Sequence, residues 1–174
     1  MIKKLTIPVD HGNRNMKTTH FLFTTGLSST DRKPAGREDF LQTDGKFYVL
    51  SDKRIPYQRD KTQDERFSIL TRFAIAKELE RTGQVTEEDV VQVSLPIGVP
   101  PKHYAELAER YREYFLGDGK VQDLVYNGRT YHTCIRDVAV YPQAYAAMMI
   151  EGEKIRQVPK AVGIDIGGFT SDFC

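Results

Sequence analysis

Apolar positions recur along this chain with two periods, near two in short runs and near 3.6 in longer ones, and the elements follow from where each period holds. Residues 2–9 are β-branched and partly alternating, which predicts a strand. Residues 16–24 place Phe21 and Phe23 on one face and His20 and Leu22 on the other, and with a short piece at 26–29 they predict a three-stranded meander. Residues 28–39 read as an exposed connection, and 40–50 as a hairpin around Asp44-Gly45. The first helical period begins after Thr62-Gln63-Asp64-Glu65, a capping-box sequence. Phe67, Leu70, Phe73, Ala74 and Leu79 turn inward, Arg66, Arg72, Lys77 and Glu80 stay in water, and Gly83 stops the helix.

Residues 89–95 predict a short apolar strand, followed by a helix over 101–115 with Tyr104, Leu107, Ala108, Tyr111 and Phe115 on its core stripe and Gly117 closing it. A strand, loop and helix in that order imply a parallel partner strand elsewhere, hence an α/β fold. Asn127-Gly128 between 120–126 and 129–135 signals a type I′ hairpin. Residues 137–141 form the next strand, and Pro142 opens a small-residue helix beginning Gln143-Ala144-Tyr145. A polar link over 151–159 leads to a last strand in which Val162 and Ile164 are expected to be buried.

Composition excludes more than it selects. The chain is long enough for one sizeable core or two small lobes. Lys and Arg number 25 against 24 Asp and Glu, a formal charge of +1, so no global field favours nucleic acid or anionic membrane. Arg32, Lys33, Arg37, Lys53, Arg54, Arg59 and Lys61 make one region locally basic, as either a solvated face or a partner surface. No apolar run reaches membrane-spanning length, and the N-terminus turns polar too early for a signal peptide. Cys134 and Cys174 suit a reducing, cytoplasmic setting better than a disulfide framework. The four histidines, His11, His20, His103 and His132, show no metal-ligand spacing, and His11 reads as a local hydrogen-bonding residue.

Two aspartate-glycine turns carry the candidate chemistry. In the later one, AVGIDIGGFTSDF, Asp165 ends a strand, Gly167 and Gly168 permit a left-handed backbone and close approach, and Thr170 and Asp172 begin the return strand. Consecutive backbone N–H groups at such a turn form an anion-binding concavity. A carboxylate beside bound phosphate is useful only with a divalent cation between them, which points to phosphate plus Mg²⁺. The earlier turn runs from Asp10 through Gly12, Asn13 and Asn15 to Lys17, a mobile cation. Ordinary hairpins use the same residue types, so a plain hairpin is the alternative reading of each turn taken alone. The chain stops at Cys174 just after the later turn, so the sequence is expected to be the N-terminal half of a longer protein.

Together, VDHGNRNMKT and GIDIGGFTSDF resemble the two phosphate loops of the actin-like ATPase superfamily, the second fitting DxGxxTxD at Asp165, Gly167, Thr170 and Asp172. The strand ending at Leu95-Pro96, the segment IRDVAVYPQAYAA and the terminal turn are most similar to bacterial plasmid-segregation actins of the ParM and StbA type. The resemblance implies a ribonuclease H-like actin-type domain, a three-stranded antiparallel meander extended by parallel strands and flanked by helices, with a small inserted subdomain. Residues 1–34 and 83–174 would be the core subdomain and 35–82 the insertion, while the family's second domain and adenosine motif have no counterpart. It further implies ATP (or GTP) and Mg²⁺ as ligands, with Asp10 and Asp165 on the metal. Gly12, Asn13, Asn15, Lys17, Gly167, Gly168 and Thr170 would hold the phosphates, and Gln143 would orient the attacking water; an exposed helix residue is the plain alternative for Gln143. The function implied is filament formation driven by ATP in plasmid or DNA segregation, with a DNA-binding adaptor as partner and no direct contact to nucleic acid or membrane. A small-molecule kinase on the same scaffold and a non-catalytic truncated interaction module are the alternatives.

Overall fold

The computed structural model describes all residues except 37, 38, 44, 144, 167–170 and 174, and inside helices and strands it leaves out the side chains of 146, 147, 165 and 171–173. The chain begins with β1 (Ile2–Thr6) and three short strands, β2 (Asp10–His11), β3 (Asn15–Lys17) and β4 (Leu22–Thr24). Then come β5 (Leu27–Thr30), β6 (Phe40–Thr43), β7 (Lys46–Leu50) and the helix α1 (Arg66–Thr82). The second half comprises β8 (Val90–Val99), a 3₁₀ turn at Pro101–His103, α2 (Tyr104–Leu116), β9 (Gln122–Tyr126) and β10 (Arg129–Pro142). Two short helices, α3 (Tyr145–Ile150) and α4 (Gly152–Ile155), lead to the hairpin of β11 (Ile164–Ile166) and β12 (Ser171–Phe173). Among the described residues no helix is long and apolar enough to cross a membrane.

Seven strands form one mixed sheet in the order β1-β8-β10-β9-β6-β7-β5. The expected parallel partner exists twice over, since β8 lies between β1 and β10 and runs parallel to both. Alternation explains why β8 sits at the centre. Val91, Val93, Leu95, Ile97 and Val99 are all buried, and they join Leu70 and Phe73 of α1 and Leu107, Tyr111 and Phe115 of α2 in one core. Each such side chain contributes on the order of 1.5–3 kcal/mol relative to exposure. Residues 35–82 supply β6, β7 and α1, and β6 pairs antiparallel with β9, so this stretch extends the same sheet.

Several elements differ from the sequence reading, each for a local reason. The meander is built from β2, β3 and β4, while residues 27–30 pair with β7 instead. Thr25 is the pivot: its N–H donates to the Arg14 carbonyl and its own carbonyl accepts from Ile55 N, which ends β4 and redirects the chain. A Cβ on Gly26 would lie 2.1 Å from the Ser51 carbonyl oxygen, so only glycine fits this crossing. The strands expected at 129–135 and 137–141 are one strand, β10, whose register against β8 shifts between Ile135 and Asp137. A bulge resets the alternation, and a reset reads as a break. The Asn127-Gly128 turn has φ of 52° and 84°, as type I′ requires.

The capping box does not form. Thr62 Oγ1 donates to Asp60 at 2.7 Å, and the N–H of Arg66 is accepted by Asp64 Oδ1 at 2.9 Å, one residue before the N-cap position. Gly83 closes α1 in the left-handed conformation, as expected. Lys77 does not stay in water: it ion-pairs with Asp39 and lies over the rings of Phe21 and Tyr126. Ile69, Thr71, Ile75, Ala76 and Glu78 are buried as well: the segment of the small sheet meets Thr71 through His11 and Glu78 through Thr18 and His20, while Ile75 lies among Tyr114, Phe115 and Leu124. Pro142 is the last residue of β10, opposite Val99, and the helix begins only at Tyr145. β11 and β12 pair antiparallel, with Asp165 and Asp172 at the same register position. Val162 and Ile164, expected to be buried, are 62% and 60% exposed, because among the described residues β11 pairs only with β12.

Candidate functional site

The parallel strands deliver three segments to one place. Beyond β1 the chain keeps following β8, with Ile7 N donating to Ser94 O at 3.0 Å and Val9 N to Pro96 O at 2.9 Å. Asp10 is the next residue. On the other side of β8, Pro142 pairs with Val99, and Gln143 N continues the ladder to Val99 O at 2.8 Å. Asp10, Gly98 and Gln143 therefore converge at the C-terminal ends of adjacent parallel strands, where open α/β sheets bind their ligands.

Gln143 Nε2 donates to Asp10 Oδ1 at 3.3 Å, joining residues 133 positions apart. Gly98 makes room for this contact, since a Cβ there would lie 2.9 Å from Gln143 Cγ. The other oxygen, Asp10 Oδ2, receives Lys17 Nζ at 3.1 Å, Lys17 standing opposite Asp10 in the β2–β3 ladder. Both side chains are well exposed, so the pair is worth no more than about 1 kcal/mol and Lys17 is free to exchange Asp10 for a stronger anion.

Between them the turn has a polarity. The His11 carbonyl accepts from Lys61 Nζ, the Gly12 carbonyl from Thr25 Oγ1 at 2.7 Å, and the Arg14 carbonyl from Thr25 N at 3.0 Å. The N–H groups of Gly12, Asn13 and Arg14 donate to no group among the described residues. Carbonyls bound to protein and N–H groups left over make an arrangement suited to an oxyanion. Gly12 is sterically required, because a Cβ would sit 2.4 Å from the Asn15 carbonyl oxygen. Asn13 lines a small cleft with Tyr57, Gln58, Arg59, Lys61, Pro100 and His103.

Beneath the turn, His11 is fully buried and stacked on Phe115 at 4.5 Å. Its Nε2 lies 2.7 Å from Thr71 Oγ1, whose hydroxyl donates to Phe67 O. Thr71 must then accept from His11, which assigns the Nε2–H tautomer and leaves Nδ1 without a partner among the described residues. Burial, and then the neighbouring Lys61 charge, hold the His11 pKa well below its ordinary value. This imidazole is a neutral structural group, as the sequence suggested. Lys61 is 3% exposed, and burial pushes its ammonium down to about 8, opposed by the Asp10 carboxylate.

Of the residues expected to hold ligand, Asp10, Lys17 and Gln143 are brought into contact, and Gly12, Asn13 and Asn15 lie in the same turn. Gln143 stands at a strand end, not on a helix. Asp165 lies in β11, but its side chain, like Gly167, Gly168 and Thr170 altogether, falls outside the described residues. Sequence reasoning missed Gly98, Thr25 and the role of Lys61, which it had placed in a basic run read as a solvated face or a partner surface. Their only signal is three-dimensional, because each acts on a segment distant in the chain. Among the described residues there is no group of three or more His, Cys, Asp or Glu that could cage a metal. One carboxylate beside an oxyanion turn does fit Mg²⁺, which keeps most of its waters and takes the rest of its ligands from phosphate.

The family model described as "Actin like proteins N terminal domain" matches residues 8–145. No curated protein matches the sequence significantly. Among solved structures, an AlfA filament bound to AMPPNP superposes with a TM-score of 0.70 at 14% identity, covering 98% of this chain and 64% of that one. An archaeal actin homolog, Ta0583, gives 0.68 at 18% identity, covering 97% and 56%. The apo psk41 ParM protein gives 0.62 at 14% identity, covering 80% and 50%. At these identities the likeness is one of fold, and this chain spans only about half to 64% of the lengths of those proteins.

Proposed function

Because the chain belongs to the family of actin-like protein N-terminal domains, we propose that it is the first domain of a filament-forming ATPase acting in plasmid or DNA segregation. Residues 1–34 and 83–174 are its core subdomain and 35–82 the small insertion. One observation carries the reading: Asp10, Lys17 and Gln143 meet at the ends of parallel strands beside a turn in which the N–H groups of Gly12, Asn13 and Arg14 donate to no group among the described residues. A filament among the structural neighbours supports self-association. A DNA-binding adaptor and a cytoplasmic setting belong to the same proposal.

The site's chemistry is phosphoryl transfer to water, which needs charge neutralisation and a positioned nucleophile more than covalent catalysis. Mg²⁺, when bound, neutralises charge on the phosphate oxygens. Asp10 and Asp165 are the carboxylates to hold it, largely through water. Lys17 leaves Asp10 for the phosphates, joined by the turn of Gly12, Asn13 and Asn15 and by Gly167, Gly168 and Thr170 of the second turn. Gln143 is anchored to Asp10 through its NH₂ group, which leaves Oε1 to accept an O–H of the attacking water.

The test uses the full-length protein with Mg-ATP, and with Mg-GTP in parallel, reading sedimentation of polymer and release of phosphate. Wild type is expected to pellet and to release phosphate, and Asp10→Ala and Asp165→Ala to lose at least tenfold in release. A wild-type protein that neither polymerises nor hydrolyses nucleotide overturns the reading.

A further inference from the structure

The buried charge of Lys61 is unexplained by packing. Among the described residues no carboxylate lies within ion-pair distance of it, and its one hydrogen-bond acceptor is the neutral His11 carbonyl. An ammonium taken out of water without a contacting counterion costs several kcal/mol, and the Asp10 carboxylate offsets only part of the burial shift. The fold nonetheless delivers it with care. Its main-chain N–H donates to Tyr111 Oη at 3.1 Å, and its neighbour Asp60 is held by Arg110 at 2.6 Å, tying the segment to α2. Tyr114 Oη donates to the Asp64 carbonyl at 2.6 Å, fixing the other side. The ammonium lies over the Phe67 ring at 5.5 Å and reaches the carbonyl of the residue that follows Asp10.

We infer that Lys61 is a positioning residue of the first turn, one that fixes the His11 carbonyl toward the protein and sets a buried positive charge close to the N–H groups that receive an oxyanion. With Thr25 holding the Gly12 and Arg14 carbonyls, it completes the set that determines which side of the turn is acceptor and which is donor. The Asp10 carboxylate at the start of the turn offsets part of the burial cost of this charge without contacting it, which leaves the Lys61 donor to the His11 carbonyl. The inference rests on reading this turn as a phosphate site, and it deepens that reading by naming what holds the turn in its receptive form.

Two substitutions in the full-length protein separate charge from hydrogen bonding. Lys61→Met keeps the apolar stem and removes both, and Lys61→Gln keeps a donor without the charge. Hydrogen–deuterium exchange over residues 10–17 reports the turn without any nucleotide, and titration with Mg-ATP reports the oxyanion site. Lys61→Met is expected to exchange about tenfold faster over 10–17 and to bind Mg-ATP at least tenfold more weakly, with melting temperature close to wild type. Lys61→Gln is expected to restore slow exchange but not affinity. Variants that match wild type in both measurements overturn the inference, as does a lowered melting temperature with turn exchange and affinity unchanged, which would make Lys61 a packing residue. Should wild type itself bind no nucleotide, the phosphate reading fails, and the exchange measurement still decides whether Lys61 holds the turn.

Discussion

At the scale of the residue, small side chains decide how close the functional groups come. Gly98 permits Gln143 to lie across β8 and reach Asp10, because any Cβ at 98 meets Gln143 Cγ at 2.9 Å. The obstructing atom belongs to a flexible side chain, so Gly98→Ala is expected to fold with little loss of stability while turning Gln143 off Asp10. Phosphate release by the full-length protein should fall roughly tenfold, about 1.4 kcal/mol in the barrier, with Mg-ATP affinity nearly unchanged. Equal rates for variant and wild type would remove Gln143 from any role in orienting water. Gly12 differs in kind, since its neighbour is the Asn15 backbone, which cannot step aside.

At the scale of the element, α1 illustrates how tertiary context exceeds an amphipathic pattern. Its predicted stripe joins the main core, and the segment that carries β2, β3 and β4 holds Thr71 and Glu78 on another face. Glu78 is the clasp between them, accepting Thr18 Oγ1 at 2.5 Å, His20 N at 3.0 Å and His20 Nδ1 at 2.7 Å. Burial alone would raise its pKa, but these bonds outweigh it and hold the carboxyl below the usual glutamate value. Glu78→Gln should cost about 1–3 kcal/mol in chemical denaturation, the range for a hydrogen-bonded charged group. Loss of the clasp loosens the sheet that carries Asp10 and Lys17, so exchange over residues 15–24 should rise as well.

At the scale of the whole molecule, carboxylates tie the segments together and make the fold acid-sensitive. Asp60 binds Thr62, Gln63 and Arg110, and although its burial opposes this, these bonds bring its pKa down to about 2. Asp39, Asp64, Glu78 and Asp89 are shifted in the same direction. The unfolded chain binds protons first as pH falls, so this stabilisation is complete above the ordinary carboxylate pKa, near 4, and is lost as pH drops toward 2. Thermal melts should decline gently below about pH 6.5, where the unfolded His11 imidazole takes a proton that the buried one refuses, and fall steeply below about pH 4 as the carboxylates follow. Asp60→Asn should flatten that fall, and a wild-type curve level down to pH 2 would show the ties to be without consequence.

Much of the fold was legible locally. Alternation marked β8, helical spacing marked α1 and α2, and Asn127-Gly128 specified its turn because left-handed backbone angles at both positions leave few other residues. The two glycine turns, taken together, were sufficient to suggest the family that the profile match then established. What sequence could not give was anything settled by contact between distant segments. Whether 27–30 would pair with the meander or with β7 was decided by Thr25 and Gly26 closing on Arg14, Ser51 and Ile55. Gln143 was assigned to a helix because proline commonly opens one, yet the ladder with β8 runs on for one more bond and leaves it at a strand end, within reach of Asp10. Lys61, in a basic stretch, read as part of a solvated face or a partner surface, and the strap that carries it is instead pinned to α2. Local chemistry determined that this chain has strands, helices and anion-type turns; packing determined which charges face water and which are held under the turn, because desolvation depends on neighbours that no short window of sequence contains.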